Sequence, residues 1–288
     1  MHSAASIVST TVRGPKLLGL LPMPAAAALA LAWGTRGDLP WWLIWCAALL
    51  ACLVALGAAW HGGLGLWEAL MAQAGAMATA TGALALPSWH CLAKPAAMVF
   101  AIAAVAAGAS GTRGNGRFSF KPLHAWLLLA LGASLAGDVF LMLPDRFIPG
   151  LVSFLLAHLA YIALFRRGSR WLAQRAALAA TLALGAGMYA FLWRGGLPPE
   201  LRLPVAVYVL AIVLMAAQAW ARWQALRGPA PLCVALGACC FMLSDALLAT
   251  SRFVQPLPWA PLWVLSSYYA AQLLIVAGVL RSADRAAR

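Results

Sequence analysis

The chain has 288 residues, of which 64% are hydrophobic and only 9% are charged, and its formal net charge is +13. Because soluble domains contain about 25% charged residues, this chain has too little polar surface to cover a water-soluble globule. The basic residues are scattered between apolar segments instead of forming one stripe, so a nucleic-acid partner is excluded and a membrane protein is indicated.

The apolar segments are long and rich in leucine and alanine, which predicts transmembrane helices and not the short alternating strands of a β-barrel. A stretch of about 20 apolar residues spans the hydrocarbon core of a bilayer. In chain order, the candidate spans are 17–33, 41–60, 64–86, 94–110, 123–143, 149–165, 172–193, 203–225, 231–250 and 259–280. We therefore expect an all-α, polytopic transmembrane helical bundle with a core of about eight helices and one or two extra N-terminal spans.

The N-terminal segment has two possible interpretations. Arg13 and Lys16 precede an apolar run that ends in small residues, which fits either a first span or a signal peptide. We divide the chain into an N-terminal extension with one or two spans (1–63), a transmembrane core (64–281) and a cytoplasmic tail (282–288).

The distribution of basic residues predicts the orientation. With the ten spans above, 14 of the 20 lysines and arginines fall on one side of the membrane. Because cytoplasmic loops carry an excess of these residues, both termini are expected in the cytoplasm. We expect an integral protein of a cell membrane, the bacterial inner membrane in particular, surrounded by membrane lipids.

Two of the seven acidic residues lie inside apolar segments: Asp138 in LGASLAGDVFLML and Asp245 in LGACCFMLSDALL. A carboxylate at the centre of a membrane helix costs about 2.5–3.5 kcal/mol on insertion scales, so it usually faces a bundle interior or a wet cavity and has a partner. Each aspartate lies five residues before the end of its expected span, about 7–8 Å below one boundary. We predict that the two carboxylates share a depth and form a functional site. The alternative is a structural bond to a neighbouring helix.

A weak internal repeat accompanies this pair. GDVFLMLPDRF (137–147) resembles SDALLATSRF (244–253), and a tyrosine follows each aspartate by 23 positions, Tyr161 and Tyr268. Membrane folds often contain such repeats, with the site where the repeats meet. One sequence leaves both a duplication and a coincidence open.

The other polar residues within spans are ambiguous when taken singly. His158 fits either an interhelical hydrogen bond or a site near Asp138, and Gln272 needs a partner. Lys94 begins its expected span, so it either extends to the interface or joins the site. The six cysteines have no zinc or disulfide spacing, and we expect neither a metal nor a cofactor.

Three segments carry a family resemblance. LAKPAAMV (92–99), LAGDVFLMLPDRFIPGLVSFLLAHLAYIALF (135–165) and the segment from LGACCFMLSDALL to SSYYAAQLLIV (236–276) resemble the YhhN-like lysoplasmalogenase family, over roughly residues 64–281. The resemblance implies about eight spans and hydrolysis of the vinyl-ether bond of a lysoplasmalogen. The products would be a fatty aldehyde and glycerophosphoethanolamine or glycerophosphocholine. The substrate would be a lysophospholipid, and the oligomeric state is left open.

The resemblance also implies roles for particular residues. The two acidic positions of the family correspond to Asp138 and Asp245, the expected catalytic pair. The expected substrate-binding or supporting residues are Lys94, His158, Tyr161, Ser244, Tyr268, Tyr269 and Gln272. Among them, the Lys94 ammonium could meet the phosphate of the lipid as a point charge.

Vinyl ethers hydrolyse by protonation of the β-carbon, addition of water to the resulting oxocarbenium ion and collapse of the hemiacetal. This route needs one protonated carboxyl and one carboxylate, the division that glycosidases use. Asp138 and Asp245 suit the two roles, but the sequence assigns neither. The rival function is a proton-coupled transporter or lipid translocase, because buried carboxylates and repeats are typical of that class as well.

Overall fold

The computed structural model describes residues 65–110 and 122–285, and these fold into eight α-helices with no strand. The expected spans at 17–33 and 41–60 lie outside the described residues. The helices are α1 (Leu66–Ala83), α2 (Pro87–Ser110), α3 (Pro122–Met142), α4 (Phe147–Phe165), α5 (Arg175–Arg194), α6 (Pro199–Leu226), α7 (Pro229–Phe253) and α8 (Ala260–Arg285). The all-α bundle predicted for the core is confirmed for these residues.

Seven of the described helices, α2 to α8, are long and apolar enough to cross a membrane. Helix α1 falls short of them because it contains Glu68 and Gln73, both buried against the bundle. The Glu68 carboxylate accepts a hydrogen bond from the Gly65 amide at 3.0 Å, so it caps the first turn of α1. The prediction of a polytopic membrane bundle is confirmed.

Neighbouring helices in the chain pack as antiparallel pairs, α1 with α2, α3 with α4 and α7 with α8. Helix α8 also packs on α1, α6 contacts α4, α5 and α7, and α5 lies at the periphery. The short loops at 84–86, 143–146, 195–198 and 254–259 therefore meet at one end of the bundle, which we call the cavity end.

Close contact within the α3–α4 pair depends on Gly137. A Cβ atom there would lie 2.6 Å from the Phe154 ring, closer than carbon atoms can approach. Small residues bring membrane helices together in this way, because lipid gives the helices no hydrophobic drive to associate. The contact fixes α3 against α4 at this level, and Asp138, the next residue along α3, is buried inside the bundle.

Several helices extend beyond the expected spans, and two of these differences bear on the site. Helix α2 begins at Pro87, so Lys94 lies two turns inside it and not at its start; the segment 87–93 contains Trp and His, which hid its helical character. Helix α7 continues to Phe253. Asp138 therefore lies about 6 Å from the end of its helix and Asp245 about 12 Å, so the equal spacing from the span ends is not kept.

Candidate active site

Asp138 lies where α2, α3 and α8 meet. The Lys94 ammonium is 3.3 Å from its Oδ1 atom, and the Tyr268 hydroxyl donates a hydrogen bond of 2.7 Å to its Oδ2 atom. Asp138 is 2% exposed and Lys94 is 7% exposed. Because a buried charge is stable only when it is paired and hydrogen-bonded, Lys94 serves as the ionic partner of Asp138 and does not extend to the membrane interface.

Asp245 lies where α4, α6 and α7 meet. The Tyr208 hydroxyl donates a hydrogen bond of 2.6 Å to its Oδ2 atom, and His158 Nε2 lies 3.3 Å from the same oxygen. His158 Nε2 is also 2.9 Å from the Tyr208 hydroxyl, so the three side chains form a closed triangle. Both contacts are to Oδ2, and the side chain of Asp245 is 16% exposed, more than that of Asp138.

A second polar cluster lies deeper in the bundle. The Tyr161 hydroxyl donates to Gln272 Oε1 at 2.5 Å, and Gln272 Nε2 donates to Ser134 Oγ at 3.2 Å. The Phe241 ring contacts both levels, with its centroid 4.9 Å from that of His158, 5.5 Å from that of Tyr268 and 6.3 Å from that of Tyr161 in the deeper cluster. The deep cluster therefore ties α3, α4 and α8 together below the candidate site.

The nine site residues predicted from the sequence can be grouped by the carboxylate that they contact. Lys94, Asp138 and Tyr268 form one group, and His158 and Asp245 belong to another. The other predicted residues hydrogen-bond elsewhere: Ser244 donates to the Val264 carbonyl, Tyr269 donates to the Lys94 carbonyl, and Tyr161 donates to Gln272.

A polar cavity of about 510 Å³ opens at the cavity end. Both aspartates line it, together with Lys94 and Tyr268. The two carboxyl groups therefore face one space although they come from helices more than 100 residues apart in the chain. Such a space admits water and a polar ligand to both groups at once.

An apolar cavity of about 630 Å³ adjoins the polar one and lies among α4, α5, α6 and α7. Its walls are almost wholly aliphatic and aromatic, and Asp245 is the one charged residue among those that line it. The residues that line both cavities are Leu141, Phe147, Phe154, Asp245 and Leu248. Asp245 therefore lies at the junction of the apolar cavity and the polar cavity.

Two residues near the carboxylates were missed by sequence reasoning. Tyr208 lies in VAVYVLAI, where a single tyrosine in an apolar run gives little signal beyond an interfacial anchor. His90 lines the polar cavity one turn before Lys94, and its Nδ1 atom is 3.0 Å from the Ala78 carbonyl. The late start expected for α2 placed His90 in a loop, and the correct helix start would have put it on the face of Lys94.

The sequence is similar to one protein family and to several known proteins. The sequence model of the YhhN family matches residues 89–279. The human protein named Lysoplasmalogenase TMEM86B is 40% identical over 53% of this chain and 62% of its own length. Its counterpart from Sus scrofa is 35% identical over 68% of this chain and 78% of its own length. The Lysoplasmalogenase of Mycobacterium tuberculosis is 34% identical over 53% of this chain and 59% of its own length.

The chain thus spans less than two thirds of the human and mycobacterial relatives. No solved structure matches it. Its apolar helices α2 to α8 make it an integral membrane protein, and the family match covers those helices almost completely. The chain belongs to the YhhN family.

Proposed function

We propose that this protein is an ether hydrolase of the membrane, a lysoplasmalogenase that cleaves the vinyl-ether bond of a one-tailed phospholipid. The products are a fatty aldehyde and glycerophosphoethanolamine or glycerophosphocholine. The observation that carries the proposal is the pair of carboxyl groups at the junction of an apolar and a polar cavity. The names of the relatives, each called a lysoplasmalogenase, support the same reaction.

The two cavities suit the two halves of such a lipid. A pocket of several hundred Å³ lined by apolar side chains accepts a hydrocarbon tail, and the polar cavity accepts the glycerophosphate. The vinyl ether joins these two halves of the substrate. With the tail and the head in their respective cavities, the reactive bond lies beside Asp245.

The partners of the two carboxyl groups support different roles. Asp138 is paired with the Lys94 ammonium and acts as the carboxylate that stabilises the positive oxocarbenium ion. Asp245 is contacted through Oδ2 by a hydroxyl and an imidazole, which leaves Oδ1 to carry the proton. Asp245 is therefore the acid in this scheme.

The proton balance closes within the pair. Asp245 gives its proton to the β-carbon of the vinyl ether, and the positive charge forms on the α-carbon and the ether oxygen. Water adds to the α-carbon and returns one proton to Asp245, leaving a hemiacetal. The carbon–oxygen bond to glycerol then breaks as a proton moves from the hemiacetal hydroxyl to the departing oxygen, which gives the aldehyde and the alcohol.

The transporter alternative is less well supported. Transport sites near buried charges are usually built on helices that are interrupted close to the charge. Here α3 and α7 continue as regular α-helices through Asp138 and Asp245. Uptake or lipid flipping in proteoliposomes, with no aldehyde formed, would favour the transporter.

The test of the proposed function is aldehyde release from a 1-alkenyl lysophospholipid by the purified protein in detergent. Asp138→Asn and Asp245→Asn should each lower turnover by several orders of magnitude. Asp245→Asn should keep the melting temperature within a few degrees, whereas Asp138→Asn should lower it, because the Lys94 ammonium is left buried without its carboxylate, so its activity is measured well below that melting temperature. Glu200→Gln, an exposed carboxylate at the cavity end on α6, is the matched control and should be fully active. Full turnover in either aspartate variant would refute the mechanism.

We also propose an orientation and an organisation for the chain. The excess of basic residues on one side supports cytoplasmic termini, which puts the cavity end at the outer face of the bacterial inner membrane. Residues 64–281 would form the catalytic core, preceded by the extension 1–63 and followed by the tail 282–288. Labelling of cysteines introduced into the loops 143–146 and 254–259 with a membrane-impermeant reagent in whole cells tests the orientation.

A further inference from the structure

Resting on the proposed function, we propose that Arg252 and Arg146 at the rim of the polar cavity bind the phosphate of the lipid. The cavity would then bind the substrate at two points, the vinyl ether beside Asp245 and the phosphodiester at the rim. This assigns the phosphate to the arginines and not to Lys94, the partner of Asp138.

Arg252 lies directly above Asp245 on the same helix. Residues seven apart in an α-helix are on the same face and about 10 Å apart along the axis. The cavity-lining residues of α7 follow this stripe, and they are Ser244, Asp245, Leu248, Ser251 and Arg252. A ligand that touches Asp245 and extends outward along α7 therefore meets Arg252.

The chemistry of the substrate matches this spacing. In a 1-alkenyl lysophospholipid the three-carbon glycerol backbone separates the vinyl ether from the phosphate. The extended link from the vinyl ether to the phosphate is shorter than two helical turns, and the side chains of Asp245 and Arg252 reach toward the ligand from both ends and make up the difference. With the vinyl ether at Asp245, the phosphate falls at the level of Arg252.

The Arg252 side chain is held in place from below. Its guanidinium carbon lies 5.1 Å from the centre of the Phe147 ring, and Phe147 packs edge-on against Phe253 at 5.6 Å. Stacking on an aromatic face leaves the in-plane N–H donors of the guanidinium free for a phosphate, which they can bind in a bidentate manner. Arg146, the residue before Phe147, lines the same rim.

The other charged groups of the polar cavity fit a phosphodiester. Lys94 and Asp138 neutralise each other on the floor, where Lys94 is buried. The rim carries Arg146, Arg252 and one carboxylate, Asp145. The rim charge of plus one matches the single negative charge of a phosphodiester, and the arginines give the phosphate its donors.

The experiment measures binding of saturated ether lipids, which lack the reactive double bond. The two ligands are 1-alkyl-glycerophosphoethanolamine and 1-alkylglycerol of the same chain length, titrated into detergent-solubilised protein and followed by intrinsic tryptophan fluorescence. Arg252→Gln should raise the Kd of the phospholipid about tenfold, the loss expected for charge-assisted hydrogen bonds, and leave the Kd of the alkylglycerol unchanged. Arg146→Gln should act in the same direction.

The matched control is Arg194→Gln, an exposed arginine at the cavity end, on α5, that lines neither cavity. It should leave both Kd values unchanged. Equal losses for the two ligands in Arg252→Gln, or an unchanged Kd for the phospholipid, would overturn the phosphate site. The outcome is independent of the reaction, since a wild-type protein that binds the ether lipid but releases no aldehyde refutes only the proposed function.

Discussion

The hydroxyl of Tyr208 gives the most direct test of the scheme in which Asp245 is the acid. Tyr208→Phe removes the 2.6 Å hydrogen bond to Asp245 and the 2.9 Å contact with His158 Nε2, and it leaves the ring, the contact of the imidazole with Asp245 and the cavity shape in place. As Asp245 gives up its proton it becomes a carboxylate, so the bond from Tyr208 strengthens in the transition state. An interaction that is stronger in the transition state than in the ground state raises kcat.

The expected magnitude follows from the kind of bond. Hydrogen bonds to charged groups contribute about 1.5–3 kcal/mol, and a tenfold change in rate corresponds to about 1.4 kcal/mol. The ground state already holds the neutral bond, which contributes about 0.5–1.5 kcal/mol, so the loss in kcat is the difference of about 1–1.5 kcal/mol. Tyr208→Phe should therefore lower kcat by about 5- to 13-fold, with a small change in KM. The short donor–acceptor distance favours the upper part of that range.

The assay is steady-state aldehyde release, with a thermal melt in the same detergent to verify folding. Tyr189→Phe is the matched control, because its hydroxyl donates to the Arg202 carbonyl at 3.1 Å and it lines neither cavity. The control should keep kcat within twofold of the wild type. If Tyr208→Phe also stays within twofold while Asp245→Asn is inactive, Tyr208 does not act through Asp245 and the reasoning fails.

Three further predictions concern the ion pair, the apolar cavity and the helix contact. Lys94→Met leaves a buried carboxylate unpaired and should destabilise the protein by about 3 kcal/mol in denaturant unfolding; adding Asp138→Asn should restore much of that loss. A phenylalanine at Gly187 would project into the open space of the apolar cavity, so Gly187→Phe should lower the turnover of long-chain substrates more than that of short-chain ones. The control is Gly132→Phe, which has equal space but lies outside both cavities, and it should not change this chain-length preference. Gly137→Leu should lower the melting temperature or abolish folding, because its Cβ would overlap a neighbouring ring, and a melt as high as that of Gly132→Leu would contradict this packing.

The helices of the core could be predicted from the sequence because the bilayer imposes one strong rule. Every backbone polar group in the hydrocarbon must be satisfied internally, so a long apolar run becomes a helix. The rule loses force where polar and aromatic residues enter a helix, which is why the first two turns of α2 were missed. It gives no information about which helices pack together, and the peripheral position of α5 emerges only from the structure.

The aspartates could be identified as candidates because an ionisable group in a membrane is costly and needs a reason to be there. The side chains that hydrogen-bond or pair with the two aspartates could not all be identified from the sequence. The pairing of Lys94 with Asp138 and of Tyr208 with Asp245 depends on contacts between helices that are distant in the chain. Tyr208 in particular lies in an apolar run whose only unusual feature is the tyrosine itself.

The resemblance between the segments around the two aspartates gains meaning from how their hairpins bond. Asp138, on the α3–α4 pair, receives a hydrogen bond from Tyr268 on α8, while Asp245, on the α7–α8 pair, is contacted by His158 on α4. Each carboxyl is thus partnered by the helix that follows the other one, so neither hairpin completes a site alone.

This exchange makes the two environments alike, and α2 and α6 make them different. Helix α2 brings the Lys94 ammonium to Asp138, whereas α6 brings the neutral Tyr208 hydroxyl to Asp245. A cation beside one carboxyl and a hydroxyl beside the other is the asymmetry that a carboxylate and a carboxylic acid require. The reciprocal hairpins therefore bring two similar acids to one cavity, and the two helices outside the hairpins give them the unequal surroundings that the proposed reaction needs.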